Sequence, residues 1–348
     1  MRSTEEMRSP ALAGLAALAV LVAGCGGGEP DAVPGPGGPA ASTTTSSAPA
    51  EEETAAALPE QVGVADAGGE TLDAGPNNDF AIAAGGGIWV TGVPPGLVRY
   101  EASTGEITRR IPVDSAVVQA LEAAAGRVWV VGLDPDVLLV VDEGSGRVVS
   151  RVDLPADPLV ESSLGASGDV AWVLADPASR RILRIDTATG EITRLPAPEA
   201  AKALRYGEGS LWVTTYDTVE RLDPATGKGQ DVFATAEGSS FLTFAYGAAW
   251  VLSQLDGAVS KVDAITGEVT IIPASDRTVN GGDIAASDGY VWVRTWDGVT
   301  VVEPRIGAAA ARVATEGGSG SVAAADGWIW ITDHDQAAIH RVPWPFAK

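Results

Sequence analysis

Tryptophan returns in this chain at nearly constant intervals, in segments of one type: GGIWV (Trp89), GRVWV (Trp129), DVAWV (Trp172), GSLWV (Trp212), GAAWV (Trp250), GYVWV (Trp292) and GWIWI (Trp330). Successive copies lie 40, 43, 40, 38, 42 and 38 residues apart. A period near 40 residues built from short strands is the signature of propeller blades, because one such unit cannot bury its faces alone and must stack on copies of itself. The 348 residues are therefore not divided into two or three ordinary domains, as length alone would suggest.

Each copy carries the same order of strands. In the fourth, ALRYG reads as an inner strand, SLWVTTY as a second, TVERLD as a third and KGQDVFA as an outer one, each a short apolar or alternating run bounded by turn residues. Between third and outer strands stands Ser/Thr-Gly, at Thr104-Gly105, Ser145-Gly146, Thr189-Gly190, Thr226-Gly227 and Thr266-Gly267, with a degenerate Ile306-Gly307. Asp186, Asp223 and Asp263 lead these turns, where a short carboxylate can bond local amides. The last repeat ends at AIHRVP without an outer strand, while QVGVADA (61–67) stands unused before the first inner strand. The expected fold is all-β: a seven-bladed β-propeller of four-stranded blades over residues 60–348, closed by that N-terminal strand completing the last blade.

Before residue 60 the composition changes. Arg2 and Arg8 precede the apolar run ALAGLAALAVLVAG, which is too short to span a bilayer, and Val22-Ala23-Gly24-Cys25 follows. Residues 1–24 read as a signal peptide, with translation starting at Met1 or Met7. The Val-Ala-Gly-Cys junction resembles the lipobox of bacterial lipoproteins, which implies lipidation of Cys25 and attachment to the extracytoplasmic face of the cell membrane. Residues 25–59 are rich in Pro, Gly, Ser, Thr and Ala and read as a disordered tether reaching about 30–35 Å. Cys25 is the sole cysteine, so no intramolecular disulfide can form and the fold must rest on its own core.

The segments Gly-x-branched-Trp-Val with D-x-x-T-G turns resemble the seven-bladed propellers grouped with virginiamycin B lyase (streptogramin lyase), and more loosely YVTN and NHL-type propellers. The lyase resemblance implies opening of cyclic peptide lactones by elimination, a carbon-oxygen lyase reaction, with a histidine base and magnesium. The segments that would carry those histidines read SAVVQAL, PLVESSLG, EAAKALRYG, GSSFLTFAYG, VNGGDIAAS and SGSVAAAD, all without His. Only His334 and His340 exist. His340 alternates within a strand and reads as structural. His334, between Asp333 and Asp335, is the candidate base, its protonated form favoured by the two carboxylates. Quinone-dependent dehydrogenase propellers also carry D-x-x-T-G, but with a Trp four residues beyond the Gly; here Arg194 and Asp231 stand in those places.

Function is expected on the loops. Those joining second to third strands, and those joining outer strands to the next blade, should share one face. On it would lie Asp134, Asp136, Asp176, Tyr216, Asp217, Asp256, Trp296, Asp297, Asp333, His334 and Asp335, with Asn77 to Asp79, Asp157, Glu161, Glu199, Glu237, Asp276, Arg277 and Asn280. Asp256-Gly257 and Asp297-Gly298 also suit hairpin turns, whereas the loop aromatics Tyr216 and Trp296 suit recognition. The ligand-binding candidates are thus Tyr216, Asp217, Trp296, Asp297, Asp333, His334 and Asp335. The formal net charge of −23 offers no basic face for phosphate, which excludes nucleic acid. The expected protein is a membrane-anchored monomer that binds an envelope protein, peptide or small ligand without a cofactor; the alternative is the lyase-like enzyme, with magnesium.

Overall fold

The computed structural model describes residues 57–346, apart from 76–77, 93–95, 156–157, 160 and 176–179. The leader, Cys25 and the tether up to residue 56 lie outside the described residues, as do Asn77, Asp157 and Asp176. All regular structure among the described residues is β. Seven antiparallel sheets follow one another along the chain, at 81–112, 117–153, 164–196, 203–234, 239–273, 283–314 and 322–343, numbered here as blades one to seven. The fourth blade has the strands Ala203–Gly207, Ser210–Thr214, Thr218–Leu222 and Gly229–Ala234, as its sequence indicates. The chain is a seven-bladed propeller.

The repeated tryptophans hold the ring. Each lies on the second strand of its blade; six are 0% exposed and Trp172 is 5% exposed. The buried apolar residues fall into seven clusters, and each cluster joins one blade to the next. Trp89 packs against blade two, Trp129 against blade three, and so on round to Trp330, which packs against blade one. Every Trp thus sits at an interblade boundary, one per boundary. The indole N–H is satisfied locally in most copies, as where Trp212 Nε1 donates to the Gly207 carbonyl at 3.2 Å and Trp250 Nε1 to that of Ala245 at 3.0 Å.

Opposite the Trp on the third strand stands a cation in five blades: Arg99, Arg184, Arg221, Lys261 and Arg341. Arg221 lies 5.8 Å from the Trp212 ring centre and Lys261 5.3 Å from that of Trp250. Three of the five reach across to the next blade, Arg221 donating to the Ala264 carbonyl at 2.9 Å, Lys261 to that of Pro304 at 3.1 Å and Arg341 to that of Ser103 at 2.6 Å. The turns behave as their sequence implies. Asp223 Oδ1 accepts from the Thr226 amide at 2.8 Å, and Gly227 takes φ 68°, a left-handed conformation that favours glycine. Hydrogen bonds within the turns hold the Asp142, Asp186, Asp223 and Asp263 carboxyls below the usual carboxylate range.

Closure by an N-terminal strand is present, but it is not made by QVGVADA. Strand β1 (Gln61–Gly63) runs parallel to Ala308–Ala314, the outer strand of blade six, as a fifth strand. The chain then turns at 64–68, and β2 (Glu70–Asp73) pairs antiparallel with Ala338–Pro343 to complete blade seven. The crossing from one blade to the next depends on Gly69: a Cβ there would lie 2.5 Å from the Arg341 carbonyl oxygen and 2.9 Å from that of Val64. The N-terminal segment therefore straps two blades together, with Ala67 buried between them.

Truncating a strand-two tryptophan leaves a large interblade void. Trp250→Ala is expected to cost about 3–5 kcal/mol in urea unfolding, whereas Trp296→Ala, on a loop, should stay within about 0.5 kcal/mol of the parent.

Candidate functional site

The loops expected to share a face do so. Connections between second and third strands bond those leading into the next blade: Gly238 N donates to the Tyr216 carbonyl at 2.9 Å, Gly318 N to that of Trp296 at 2.9 Å, and His334 N to that of Ser319 at 2.9 Å. Several of the acidic loop residues are consumed in holding this face. Asp256 accepts from the Glu237 amide at 2.8 Å, Glu199 pairs with Arg180 at 2.6 Å, Asp276 with Arg312 at 3.0 Å and Asp297 with Arg277 at 2.6 Å. Burial would raise the Asp297 carboxyl, but its bonds from Arg277 and Thr295 outweigh that and hold it below the usual range.

Where the inner strands begin, the face opens into a funnel on the ring axis. Its upper part, ≈ 420 Å³, is lined by Asp79, Glu161, Lys202, Gln254 and the backbone of Gly281 and Gly282, among others. Below it, ≈ 230 Å³ is lined by Glu122, Arg205, Phe244 and Asp283, with Phe80, Glu161 and Ser162 shared between the two. Glu122 of blade two and Arg205 of blade four pair at 3.2 Å, and Arg205 also donates to the Leu164 carbonyl of blade three at 2.9 Å. This ion pair thus ties three blades together at the base of the funnel. Asp283 of blade six accepts from Ser321 of blade seven at 2.5 Å and from its own neighbour Ile284 N at 2.8 Å.

The funnel perturbs its acids. Burial pushes the Asp283 carboxyl up to about 6, opposed by the Ser321 hydrogen bond and the Arg205 charge. Glu161 reaches water yet is walled in by the funnel, and desolvation followed by the charges of Asp79 and Asp283 raises it. Asp79 is raised by desolvation, with His334 lowering and Asp335 raising it further. Glu122 is raised by burial against the opposing pull of Arg205. Glu161 is also held at φ 71°, unusual for a residue with a side chain. Burial is the main cause for all three of Asp79, Glu161 and Asp283, with Asp79 acting on both others and Asp283 on Glu161, so the concavity gathers carboxyls that suit a cation or a hydrogen-bond donor. Among the described residues no three His, Cys, Asp or Glu side chains group closely enough to hold a metal ion, so the residues present do not form the magnesium site that the lyase resemblance implies.

The expected residues divide. Tyr216 is 47% exposed, with the Lys202 ammonium 5.6 Å from its ring centre, and so stands on the funnel rim through a residue that lines it. Asp217 beside it is exposed, its carbonyl accepting from Thr235 N at 2.9 Å. Trp296 is 37% exposed at the blade six loop but does not line the funnel. His334 lies on the rim with Nδ1 3.4 Å from Asp335, whose other oxygen accepts from Ser319 N at 3.0 Å. The backbone hydrogen bond from Ser319, ahead of the His334 contribution, holds Asp335 low. Asp333 does not flank His334 as expected. It ends the second strand, is 0% exposed, and continues the side of Ile329 and Ile331 that faces blade six. His340 is structural in part, its Nδ1 2.9 Å from Thr71 Oγ1 of the closing strand. Sequence reading missed Glu122, Arg205 and Asp283; a charged residue in each of the otherwise small or apolar inner strands VVQALEAA, ALRYG and DIAAS was the available signal.

No family model matches the chain, and no curated protein matches it in sequence. Among solved structures, the β-propeller domain of Cps50 (Swd1) from Myceliophteria thermophila is similar, with a TM-score of 0.65, 14% identity, and 79% of this chain and 99% of that one covered. BamB from Moraxella catarrhalis gives a TM-score of 0.52 at 14% identity over 79% and 98% of the two chains. The computationally designed Ika8 protein gives 0.52 at 19% identity over 75% and 85%. This likeness shows the fold alone.

The titration of Asp283 has a thermodynamic consequence. Its folded-state value is raised above the usual 3.8 to about 6, so the stability carried by the protonated form is complete below 3.8 and is lost as pH rises through about 6. The difference is worth about 3 kcal/mol. Unfolding titrations should show Asp283→Asn gaining on the parent between pH 4 and 7 by up to about that amount, with no further gain above. Parallel pH profiles of the two proteins would contradict the assignment.

Proposed function

We propose that the protein is an exported lipoprotein, held at the extracytoplasmic face of the membrane by a lipid on Cys25, whose propeller binds a cationic segment of an envelope protein or peptide in the axial funnel. The carrying observation is that Asp79, Glu161 and Asp283 converge on the ring axis, where burial raises all three, Asp79 and Asp283 raise Glu161 further, and Asp79 adds to Asp283. Loops on a rigid scaffold are the usual place for recognition, and the exposed Tyr216 beside Lys202 gives the rim an aromatic contact for an incoming chain.

A labelled oligolysine peptide titrated against the propeller tests this reading. Binding should be saturable and salt-sensitive, and the double variant Asp79→Asn, Glu161→Gln should weaken it by about tenfold or more, roughly 1.4 kcal/mol. Equal binding of an oligoglutamate peptide, or no effect of the double variant, would overturn it. The anchor is tested by Cys25→Ser, which should release the protein from the membrane fraction.

A second reading is favoured by one observation: a carboxyl near 6 in a concave site lies in the range of a general base. On that reading the chain opens cyclic peptide lactones as the virginiamycin B lyase resemblance implies. Linearisation of a cyclic depsipeptide antibiotic, with and without magnesium, that depends on His334 or Asp283 would establish it and sink the binding-only function.

A further inference from the structure

On the face opposite the funnel, two of the Asp-to-Gly type turns carry an isoleucine at their tip. Ile265 of blade five is 93% exposed and Ile306 of blade six 66% exposed. Ile265 stands where the corresponding turns have Ser103, Gly144, Ala188 and Ala225, and Ile306 where the other five have Ser or Thr. The turn does not need either side chain, since its leading carboxylate and its glycine set the backbone, as at Asp223 and Gly227.

A third apolar side chain joins them. Tyr246, 49% exposed, occupies the turn between the first and second strands of blade five at φ 56°, a conformation uncommon for a residue with a side chain. Ala264 N donates to the Gly247 carbonyl at 2.9 Å, which sets the Tyr246 and Ile265 turns side by side. Lys261 donates to the Pro304 carbonyl at 3.1 Å, and a Cβ at Gly307 would lie 3.9 Å from Thr270 and Ile272, so the Ile306 turn rests against blade five as well. The Tyr246 hydroxyl accepts from Gly289 N of blade six at 2.9 Å. Exposed charges of both signs stand near the three, namely Glu268, Asp288 and Arg305. Asp263 is engaged by the amides of Ile265 and Thr266 at 2.9 and 2.8 Å. The patch thus offers apolar contact without a field of one sign, which suits an uncharged apolar surface better than a charged segment.

The chain joins the propeller at the same place. Strand β1 runs parallel to Ala308–Ala314, with Gln61 opposite Arg312 and Gly63 opposite Ala314. That outer strand starts at the Ile306 turn and runs toward the loop face, so the described residues before Gln61 lie on the side of the turns, and Pro59 and Glu60 line a cavity with Ala311 and Arg312. Residues 25–59, whose composition gives a reach of about 30–35 Å, therefore connect to blade six from the side of the exposed isoleucines. A lipid at the start of that segment would keep this face at an effective concentration near the bilayer of roughly millimolar order, where even a weak contact is populated.

We propose that the turn face of blades five and six rests on the lipid surface, with Ile265, Ile306 and the Tyr246 ring in its interfacial layer, and that the axial funnel opens away from the membrane. The inference rests on the lipid anchor at Cys25 proposed above, and the test separates the two. A single myristoyl chain coupled chemically to Cys25 of residues 25–348 holds only marginally by itself, so it makes a second contact measurable whether or not the cell lipidates Cys25. Partitioning into phosphatidylcholine vesicles, zwitterionic because the chain's net charge is −23, is expected to fall about tenfold in the double variant Ile265→Ser, Ile306→Ser. Leu255→Ser, which removes an exposed side chain from the loop face, should leave it unchanged. Equal partitioning of parent and double variant, or an equal loss in Leu255→Ser, would overturn the proposal. Self-association in solution that the double variant abolishes would also overturn it, assigning the patch to a second copy of the chain. Fractionation of cells carrying Cys25→Ser reports on the native anchor alone.

Discussion

The boundary between neighbouring blades is the constraint on which everything else depends, and one tryptophan per boundary meets it. A four-stranded sheet of this size is apolar on both faces and cannot exist alone; placing a fully buried indole on the second strand of each gives every interface the same wedge. The cation opposite the indole adds to it. Arg221, Lys261 and Arg341 lie against their own Trp and donate to carbonyls of the following blade, so one side chain links ring, sheet and neighbour. Because this packing is answered within the scaffold, the repeated motif leaves no indole free for a ligand.

Closing the ring requires a solution that the repeat cannot supply. The seventh blade lacks an outer strand, and the N-terminal segment provides it at Glu70–Asp73 after first adding Gln61–Gly63 to blade six. The strap thus engages two blades in succession, crossing from one to the other at Gly69, where a side chain would meet the Arg341 and Val64 carbonyls.

Much of this was legible in the sequence, and the failures have physical causes. Trp spacing gave the blade number and the Asp-to-Gly turns gave the strand order, because both are local patterns fixed by packing and φ. The closing strand is not legible locally, because Gln61-Val62-Gly63 and Glu70-Thr71-Leu72 are both acceptable strands and pairing partners more than 200 residues away decide between them. Asp333 read as a loop residue because it sits beside His334 and Asp335, whereas it ends a strand whose odd positions face blade six. Glu122, Arg205 and Asp283 are far apart in the chain and meet at the axis only when the ring closes. Tyr216 and Trp296 were visible as loop aromatics, but of the two only Tyr216 is tied to the funnel, through Lys202.

A repeated scaffold surrounds an unrepeated axis, and the division between them can be mapped directly. Hydrogen–deuterium exchange of the propeller with and without a saturating cationic peptide reports which amides the peptide covers. The account predicts protection at the starts of the inner strands, around 79–81, 161–163, 201–203 and 281–283, and at the Tyr216 loop, with the Asp-to-Gly turns on the opposite face unchanged. Protection concentrated on those turns, at 223–227 or 263–267, would contradict it.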